Sequence, residues 1–213
     1  LRNIRFDPLW FVRRAWESRS AEVTPGFGWV PDSWLDDEAV RRALRSLSTK
    51  PLPHMVGYGN PRGQTNLRLK ICDWLGEQEI AAAPDQILLT TGASHAIELV
   101  SQYLLRPGDA VLVDEPGYSV MMSNLRARGA RLIGVPWTPQ GPDVGILERL
   151  VTEHRPRAFF TNSRLHNPTG ASYSSATAHR VLQLADRNDF VVVQEDVCAD
   201  LHPSARRSLA CLD

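Results

Sequence analysis

Between Ile87 and Val193 the chain alternates short, unbroken apolar runs with stretches whose apolar residues recur every three to four positions. The runs are Ile87-Leu88-Leu89, Ala110-Val111-Leu112-Val113, Arg131-Leu132-Ile133-Gly134-Val135, Ala158-Phe159-Phe160-Thr161 and Phe190-Val191-Val192-Val193. Each is short for a helix and lacks the polar alternation of a half-exposed strand, which predicts strands covered on both faces. The windows between them, 94–105, 119–128, 143–153 and 174–187, carry the helical period. Strand and helix in strict alternation predict an α/β fold, a mostly parallel sheet with helices on both faces.

The chain before this region reads differently. Residues 1–31 mix Trp10, Phe11, Trp16, Phe27 and Trp29 with arginines at no period, which describes an arm. Leu35, Val40, Leu44 and Leu47 then form one helical stripe, with Asp32 or Ser33 as the expected cap and Pro51 and Pro53 as the stop. A Gly/Pro loop runs from His54 to Gly63. Leu67, Leu69, Ile71, Trp74 and Leu75 predict a second helix closing near Gly76. The expected organisation is an N-terminal arm and helix over 1–50, then one α/β domain over 51–213.

Composition narrows the partners. Basic and acidic residues number 24 each, so no overall charge favours nucleic acid or an anionic membrane. No apolar run reaches the ~18 residues of a membrane span, and the start lacks the pattern of a signal peptide. Three cysteines, Cys72, Cys198 and Cys211, are odd in number and without paired metal-ligand spacing, so neither a disulfide framework nor a metal site is expected. These features read as a cytoplasmic protein. The chain starts at Leu1 and stops at Asp213 soon after a strand run, which reads as a piece of something longer.

Five short segments could carry chemistry. Thr90-Thr91-Gly92-Ala93-Ser94-His95 leaves an apolar run and enters a helix, where free N–H groups can meet a phosphate; an ordinary capped turn has the same look. Asp114-Glu115-Pro116-Gly117-Tyr118 sets an aromatic ring at the carboxyl end of a strand, where open α/β sheets bind ligands. His166-Asn167-Pro168-Thr169-Gly170 is turn chemistry that can also aim an amide at a ligand oxygen. Gln194-Glu195-Asp196 closes an apolar run with two carboxylates, either of which could keep a ring nitrogen protonated. Tyr58-Gly59-Asn60-Pro61-Arg62-Gly63 offers a phenol and a guanidinium on a stiff turn. His54, His154 and His179 have no spacing suggestive of a metal or a triad.

In this order the segments resemble the fold-type-I, class I/II pyridoxal-phosphate aminotransferases, over residues 55 to about 202. Pro25-Gly26-Phe27-Gly28-Trp29, Val30-Pro31-Asp32-Ser33-Trp34-Leu35-Asp36 and Ala199-Asp200-Leu201-His202-Pro203 are most similar to MocR/GntR-type regulators, in which an aminotransferase-like domain follows a winged-helix DNA-binding domain. The resemblance implies pyridoxal 5'-phosphate as cofactor and part of a transferase large domain as the fold. Ala93 and Ser94 would hold the phosphate with His95 near it, Tyr118 would stack on the ring, and Asn167 would bond the phenolic oxygen. Tyr58 would reach a phosphate across a homodimer interface, and Glu195 or Asp196 would pair with the ring nitrogen. An amino acid or amine would be substrate or effector, and DNA would be met only through a domain outside this chain.

Two departures qualify the resemblance. The family usually places a tyrosine shortly after the strand-end acid, where this chain has Cys198; counting back three residues from Cys198 selects Glu195, one before Asp196. The family also forms a Schiff base to a lysine well downstream of that acid, whereas the two lysines here, Lys50 and Lys70, lie far upstream. The expectation is therefore a cofactor-contacting chain with no catalytic residue of its own, belonging either to an enzyme or to the effector-sensing part of a regulator.

Overall fold

The computed structural model describes residues 32–49, 57–201 and 207–213. The chain divides into two units, residues 1–61 and 62–213; the expected arm over 1–31, the expected helix stop at Pro51 and Pro53, and the first three residues of the loop from His54 lie outside the described residues.

In the first unit, helix α1 (Asp37–Ser48) is capped by Asp36, whose carboxylate accepts from the Ala39 N–H at 2.8 Å. Asp32 and Ser33 are not the cap. They belong to a short 3₁₀ turn, Asp32–Trp34, closed by Leu35 N–H to the Asp32 carbonyl at 3.1 Å, which absorbs one turn of chain before the α-helix begins. Asp37 and Glu38 then occupy the first turn, the favourable end for negative charge.

The second unit opens with α2 (Thr65–Glu77), which starts on the Gln64 side chain and continues one residue beyond Gly76. The α/β region follows as α3 (Ala93–Leu104), β1 (Ala110–Glu115), α4 (Ser119–Ala127), β2 (Arg131–Thr138), β3 (Gly141–Pro142), α5 (Val144–His154), β4 (Ala158–Thr161), α6 (Ser175–Asn188) and β5 (Val191–Gln194). The sheet order is β3-β2-β1-β4-β5, parallel throughout except for the two-residue β3, which turns back antiparallel on β2.

Four of the five expected strands form. Ile87-Leu88-Leu89 does not: it is extended chain with one backbone bond, Leu89 N–H to the Arg62 carbonyl at 3.1 Å, and Leu88 is exposed. Its apolar character reflects local packing of Leu89 on Gly63. Strand status needs a neighbouring ladder, which hydrophobicity alone does not supply.

Period-two geometry sorts the strand residues into two cores. Val111, Val113, Ala158 and Phe160 point to one side and pack with Ile97 of α3 and Met121 and Leu125 of α4. Leu112, Phe159 and Val135 point to the other and pack with Leu147 and Val151 of α5 and Val181 and Leu184 of α6. Phe159, Phe160, Leu112 and Val111 are wholly buried, each contributing roughly 1.5–3 kcal/mol by burial. The same alternation decides which face receives each polar residue at the strand ends. No helix among the described residues is long and apolar enough to cross a membrane.

Candidate functional site

Asp114 lies two residues after Leu112 and so enters the α5/α6 side of the sheet, where it is 1% exposed. Thr161 Oγ1 donates to its carboxylate at 3.0 Å, and the Asn162 N–H donates at 2.8 Å. Because the single Thr161 proton is used on Asp114, the Tyr173 hydroxyl, 2.7 Å from Thr161 Oγ1, is the donor in that contact. Burial raises the Asp114 carboxyl from 3.8 to about 7 despite these bonds, and the nearby Glu195 charge adds to the rise. Burial likewise holds the Tyr173 phenol well above its ordinary value, with Asp114 reinforcing it.

His166 completes this cluster. Its ring stacks on Trp137 with centroids 3.6 Å apart, its Nδ1 meets Thr169 Oγ1 at 2.8 Å, and its Nε2 lies 3.6 Å from the Asp114 carboxylate. Burial lowers the imidazole from 6.5 to about 4, with the Pro116 carbonyl acting against the change. Burial thus favours the neutral form of both acid and base.

Beyond β4 the chain stays buried although it turns polar, through Asn162, Ser163 and Arg164. Asn162 Oδ1 accepts from the Asn167 N–H at 2.6 Å, and its Nδ2 donates to the Glu195 carbonyl at 2.7 Å and the Arg164 carbonyl at 3.3 Å. Arg164 holds Asp196 with two hydrogen bonds, Nε to Oδ1 at 2.8 Å and the second from Nη2 to Oδ2, and also reaches Gln78 Oε1 at 3.4 Å. The Glu195 N–H bonds the Thr161 carbonyl at 2.8 Å, carrying the β4–β5 ladder one residue past Gln194. Burial raises the Glu195 carboxyl, the Val197 N–H opposes the rise and Asp196 adds to it. Its charge in turn helps burial to raise both the Tyr118 phenol and the Cys198 thiol.

The start of α3, like that of α4 at Tyr118, has no side-chain cap. Asp36, Gln64, Asp143 and Ser174 cap α1, α2, α5 and α6 with a side-chain acceptor, but α3 begins at Gly92 with no such bond. Gly92 has φ 83° and ψ 169°, a region essentially confined to glycine, and a Cβ there would meet nothing within 4 Å. The first-turn N–H groups of Ala93 and Ser94 have no acceptor among the described residues. Ser94 and His95 are exposed, and His95 Nδ1 accepts from the Thr91 N–H at 3.2 Å, bracing the turn.

Tyr118 is half-buried against the α3/α4 core. Gly117 precedes it because a Cβ there would run into the Asp114 carbonyl. The backbone of Asn167 is tied to Asn162, while the residue itself is exposed and its amide makes no hydrogen bond among the described residues. Tyr58 is exposed in the first unit.

A family model described as aminotransferase class I and II matches residues 35–205. The chain belongs to this family. Among the relatives of this aminotransferase-family chain, 2-aminoadipate transaminase of Thermus thermophilus is 30% identical over 173 residues, 81% of this chain and 42% of that protein. An HTH-type transcriptional regulator of Bacillus subtilis, YisV, itself uncharacterised, is 25% identical over 87% of this chain and 38% of its own length. The chain thus spans less than half the length of these curated relatives. It is related both to aminotransferases and to MocR-type regulators. Of solved structures, the α-aminoadipate aminotransferase LysN of Thermus thermophilus, complexed with N-(5'-phosphopyridoxyl)-L-leucine, aligns with a TM-score of 0.68 and 31% identity, covering 75% of this chain and 40% of that one. Kynurenine aminotransferase of Pyrococcus horikoshii aligns with a TM-score of 0.86 at 24% identity over 99% of this chain and 54% of its own, a likeness of fold.

The sequence motifs single out exposed residues, Ser94, His95 and Asn167, and partly buried ones, Ala93, Tyr118, Glu195 and Asp196, but not the buried residues packed beneath them. Asn162, Thr161, Arg164 and Tyr173 fall in no motif. The available signal was the run Thr161-Asn162-Ser163-Arg164 between a strand and a Pro-Thr-Gly turn, which is too polar to be buried without partners. Among the described residues no cluster of three potential metal ligands occurs.

Proposed function

We propose that this chain is the cofactor-contacting part of an aminotransferase-like domain and that it binds pyridoxal 5'-phosphate at the carboxyl edge of its sheet. The observation that carries the reading is the uncapped start of α3 at Gly92, a first turn of donors without a protein acceptor, on the same helical layer as the Tyr118 ring. The donor set fits the group. Ala93 and Ser94 would donate to the phosphate with His95 beside it, Tyr118 would cover one ring face, and the Asn167 amide would donate to the phenolic oxygen. One of the strand-end acids, Glu195 or Asp196, would accept the ring N–H and hold its proton. Bound there, the cofactor supplies an electron sink for chemistry at the carbon bearing an amino group.

The substrate class is an amino acid or amine, in keeping with the transaminase relatives. Tyr58, exposed in the first unit, would serve the phosphate of a second subunit in a homodimer. The free cysteines are in keeping with a reducing, cytoplasmic setting. Lys50 and Lys70 are the only lysines of the sequence, and Lys70 lies on α2 beside Asp73 at 3.3 Å, so binding without covalent attachment is the expected state of this chain. The regulator relatives support a second reading, in which the same site senses the cofactor or its amino-acid adduct as an effector.

The test is titration of the chain with pyridoxal phosphate followed by visible absorbance, with and without borohydride. Saturable binding weakened by both Asn167→Ala and Tyr118→Ala, with no label trapped by reduction, is the expected result. Binding indifferent to both substitutions, or label trapped on Lys50 or Lys70, would overturn it.

A further inference from the structure

Two carboxylates stand side by side at the end of β5, and a ring nitrogen can take only one of them. We propose that Asn162 and Arg164 are positioning residues that assign this role to Glu195: Arg164 holds Asp196 in a two-bond ion pair, and Asn162 ties the backbone of Glu195 to the turn that carries Asn167. The proposal rests on the pyridoxal-phosphate reading above and deepens it.

Strand parity supplies the first argument. Val193 pairs with Phe160 and packs on the α3/α4 side, together with Tyr118. Glu195 follows two residues later with the ladder still intact through its N–H on Thr161, so it shares that side. Gln194 has the opposite parity and is held there, its Oε1 accepting from Ser208 Oγ at 2.8 Å and the Leu209 N–H at 3.0 Å. Glu195 is thereby directed toward the layer whose helix start is open.

The fate of Asp196 is the second argument. The Arg164 side chain is 9% exposed and grips both carboxylate oxygens. A planar guanidinium in fork-to-fork contact takes one lone pair on each Asp196 oxygen and fixes the plane and direction of the carboxylate. Releasing Asp196 to another donor would leave a buried guanidinium without its counter-charge.

Asn162 supplies the third. Its amide orientation is fixed by chemistry, because Oδ1 faces an N–H while Nδ2 faces two carbonyls. One buried side chain therefore sets the spacing between the Asn167 turn and the Glu195 backbone, the two segments that would contact one aromatic ring at its phenolic oxygen and its nitrogen. Asp114 anchors the clamp in turn through the Asn162 N–H.

The experiment is nitrogen NMR of the chain loaded with ring-¹⁵N pyridoxal phosphate, paired with cofactor affinity and with thermal unfolding of the cofactor-free protein. Glu195→Gln is expected to move the ring nitrogen from the protonated to the unprotonated position. Asp196→Asn should leave the resonance protonated while lowering the unfolding midpoint. Asn162→Asp keeps the acceptor for Asn167 but removes the donor to Glu195, and should weaken the cofactor about tenfold, the equivalent of one good hydrogen bond. Arg164→Gln and Asp196→Asn combined should lower the midpoint no further than the worse single change. A resonance moved by Asp196→Asn but not by Glu195→Gln, an unchanged affinity in Asn162→Asp, or additive midpoint losses would overturn the assignment while leaving the cofactor reading intact. An unmodified chain that binds no cofactor would remove the reading and the assignment together.

Discussion

The two helical layers flanking the sheet grow from one local grammar and end differently. On the α5/α6 side each helix starts on its own side-chain acceptor, Asp143 bonding the Ile146 N–H at 3.0 Å and Ser174 bonding the Thr177 N–H at 3.0 Å. Several polar groups on this side bond one another, as in the chain from Tyr173 through Thr161 to Asp114, although Trp137 Nε1, His166 Nε2 and Gln194 Nε2 are buried without a hydrogen-bond partner among the described residues. On the α3/α4 side neither Gly92 nor Tyr118 gives its helix a side-chain cap, and a carboxylate, a phenol and a thiol influence one another at the sheet edge. A layer whose helices carry their own side-chain caps reads as a support, and a layer whose helix starts are left uncapped is where an anionic ligand belongs.

The largest test strikes the join between the layers. Asp114→Ala strips the acceptor from Thr161 Oγ1 and the Asn162 N–H, both buried. A loss of about 3 kcal/mol in urea unfolding is expected, since each buried group left unsatisfied costs roughly 1–3 kcal/mol. Loosening Asn162 should also reach Glu195 and Asn167, so cofactor affinity should fall in the same variant. A protein that keeps its stability would show that the clamp does not depend on Asp114.

Titration separates the two members of the support. The folded chain keeps a proton on Asp114 up to about pH 7, while the unfolded chain releases it near pH 3.8, so this group makes stability fall as pH rises through that window. His166 works the other way: the unfolded chain takes up a proton below about pH 6.5 that the folded chain refuses until about pH 4, so stability falls as pH falls. The two slopes oppose each other from about pH 4 to 6.5. Relative to the unmodified chain, Asp114→Asn should make stability climb more steeply with pH there, and His166→Gln should make it decline. Urea unfolding at a series of pH values reads both. Parallel profiles in the two variants would contradict the assignment of burial as the common cause.

Gly92→Ala moves to the open layer. Its backbone angles suit glycine alone, and forcing a side chain there should cost roughly 1–3 kcal/mol. The defining result is the cofactor: rotation of the turn redirects the N–H groups of Ala93 and Ser94, so saturable binding should be lost even where the fold survives. Retained binding would show that the phosphate is not held by this turn.

How much of this was legible beforehand follows from the same contrast. The candidate cofactor contacts stand in short motifs at or near the surface, Ser94 and Asn167 exposed and Tyr118 half-buried, and could be picked out by residue type and spacing. The strands over 110–113 and 158–161 were legible because burial on both faces leaves an apolar run, and those over 131–135 and 190–193 kept the run although they are only partly covered, with Val191 exposed. Ile87-Leu88-Leu89 has the same composition and makes no ladder, because pairing is a property of the neighbour. The supporting layer was not legible for a related reason. That Asn162 bridges residues 167 and 195, or that Arg164 selects Asp196, depends on contacts across 33 and 32 positions of chain, which no local pattern encodes.

The smallest effects set two serines against each other. Ser174 caps α6 and Ser94 sits in the first turn of α3, so residue type and position near a helix start are much alike. Ser174→Ala should cost about 1 kcal/mol of stability, the usual value of a lost cap, and leave cofactor affinity unchanged because the Ser174 hydroxyl bonds only Thr177 within the start of α6. Ser94→Ala should leave urea stability within about 0.5 kcal/mol, since the exposed hydroxyl caps nothing. Its effect should instead be a severalfold weaker hold on the phosphate, from the loss of one hydroxyl donor. If both serines changed stability and neither changed binding, the two layers would be equivalent and the open start of α3 would have no ligand to explain it.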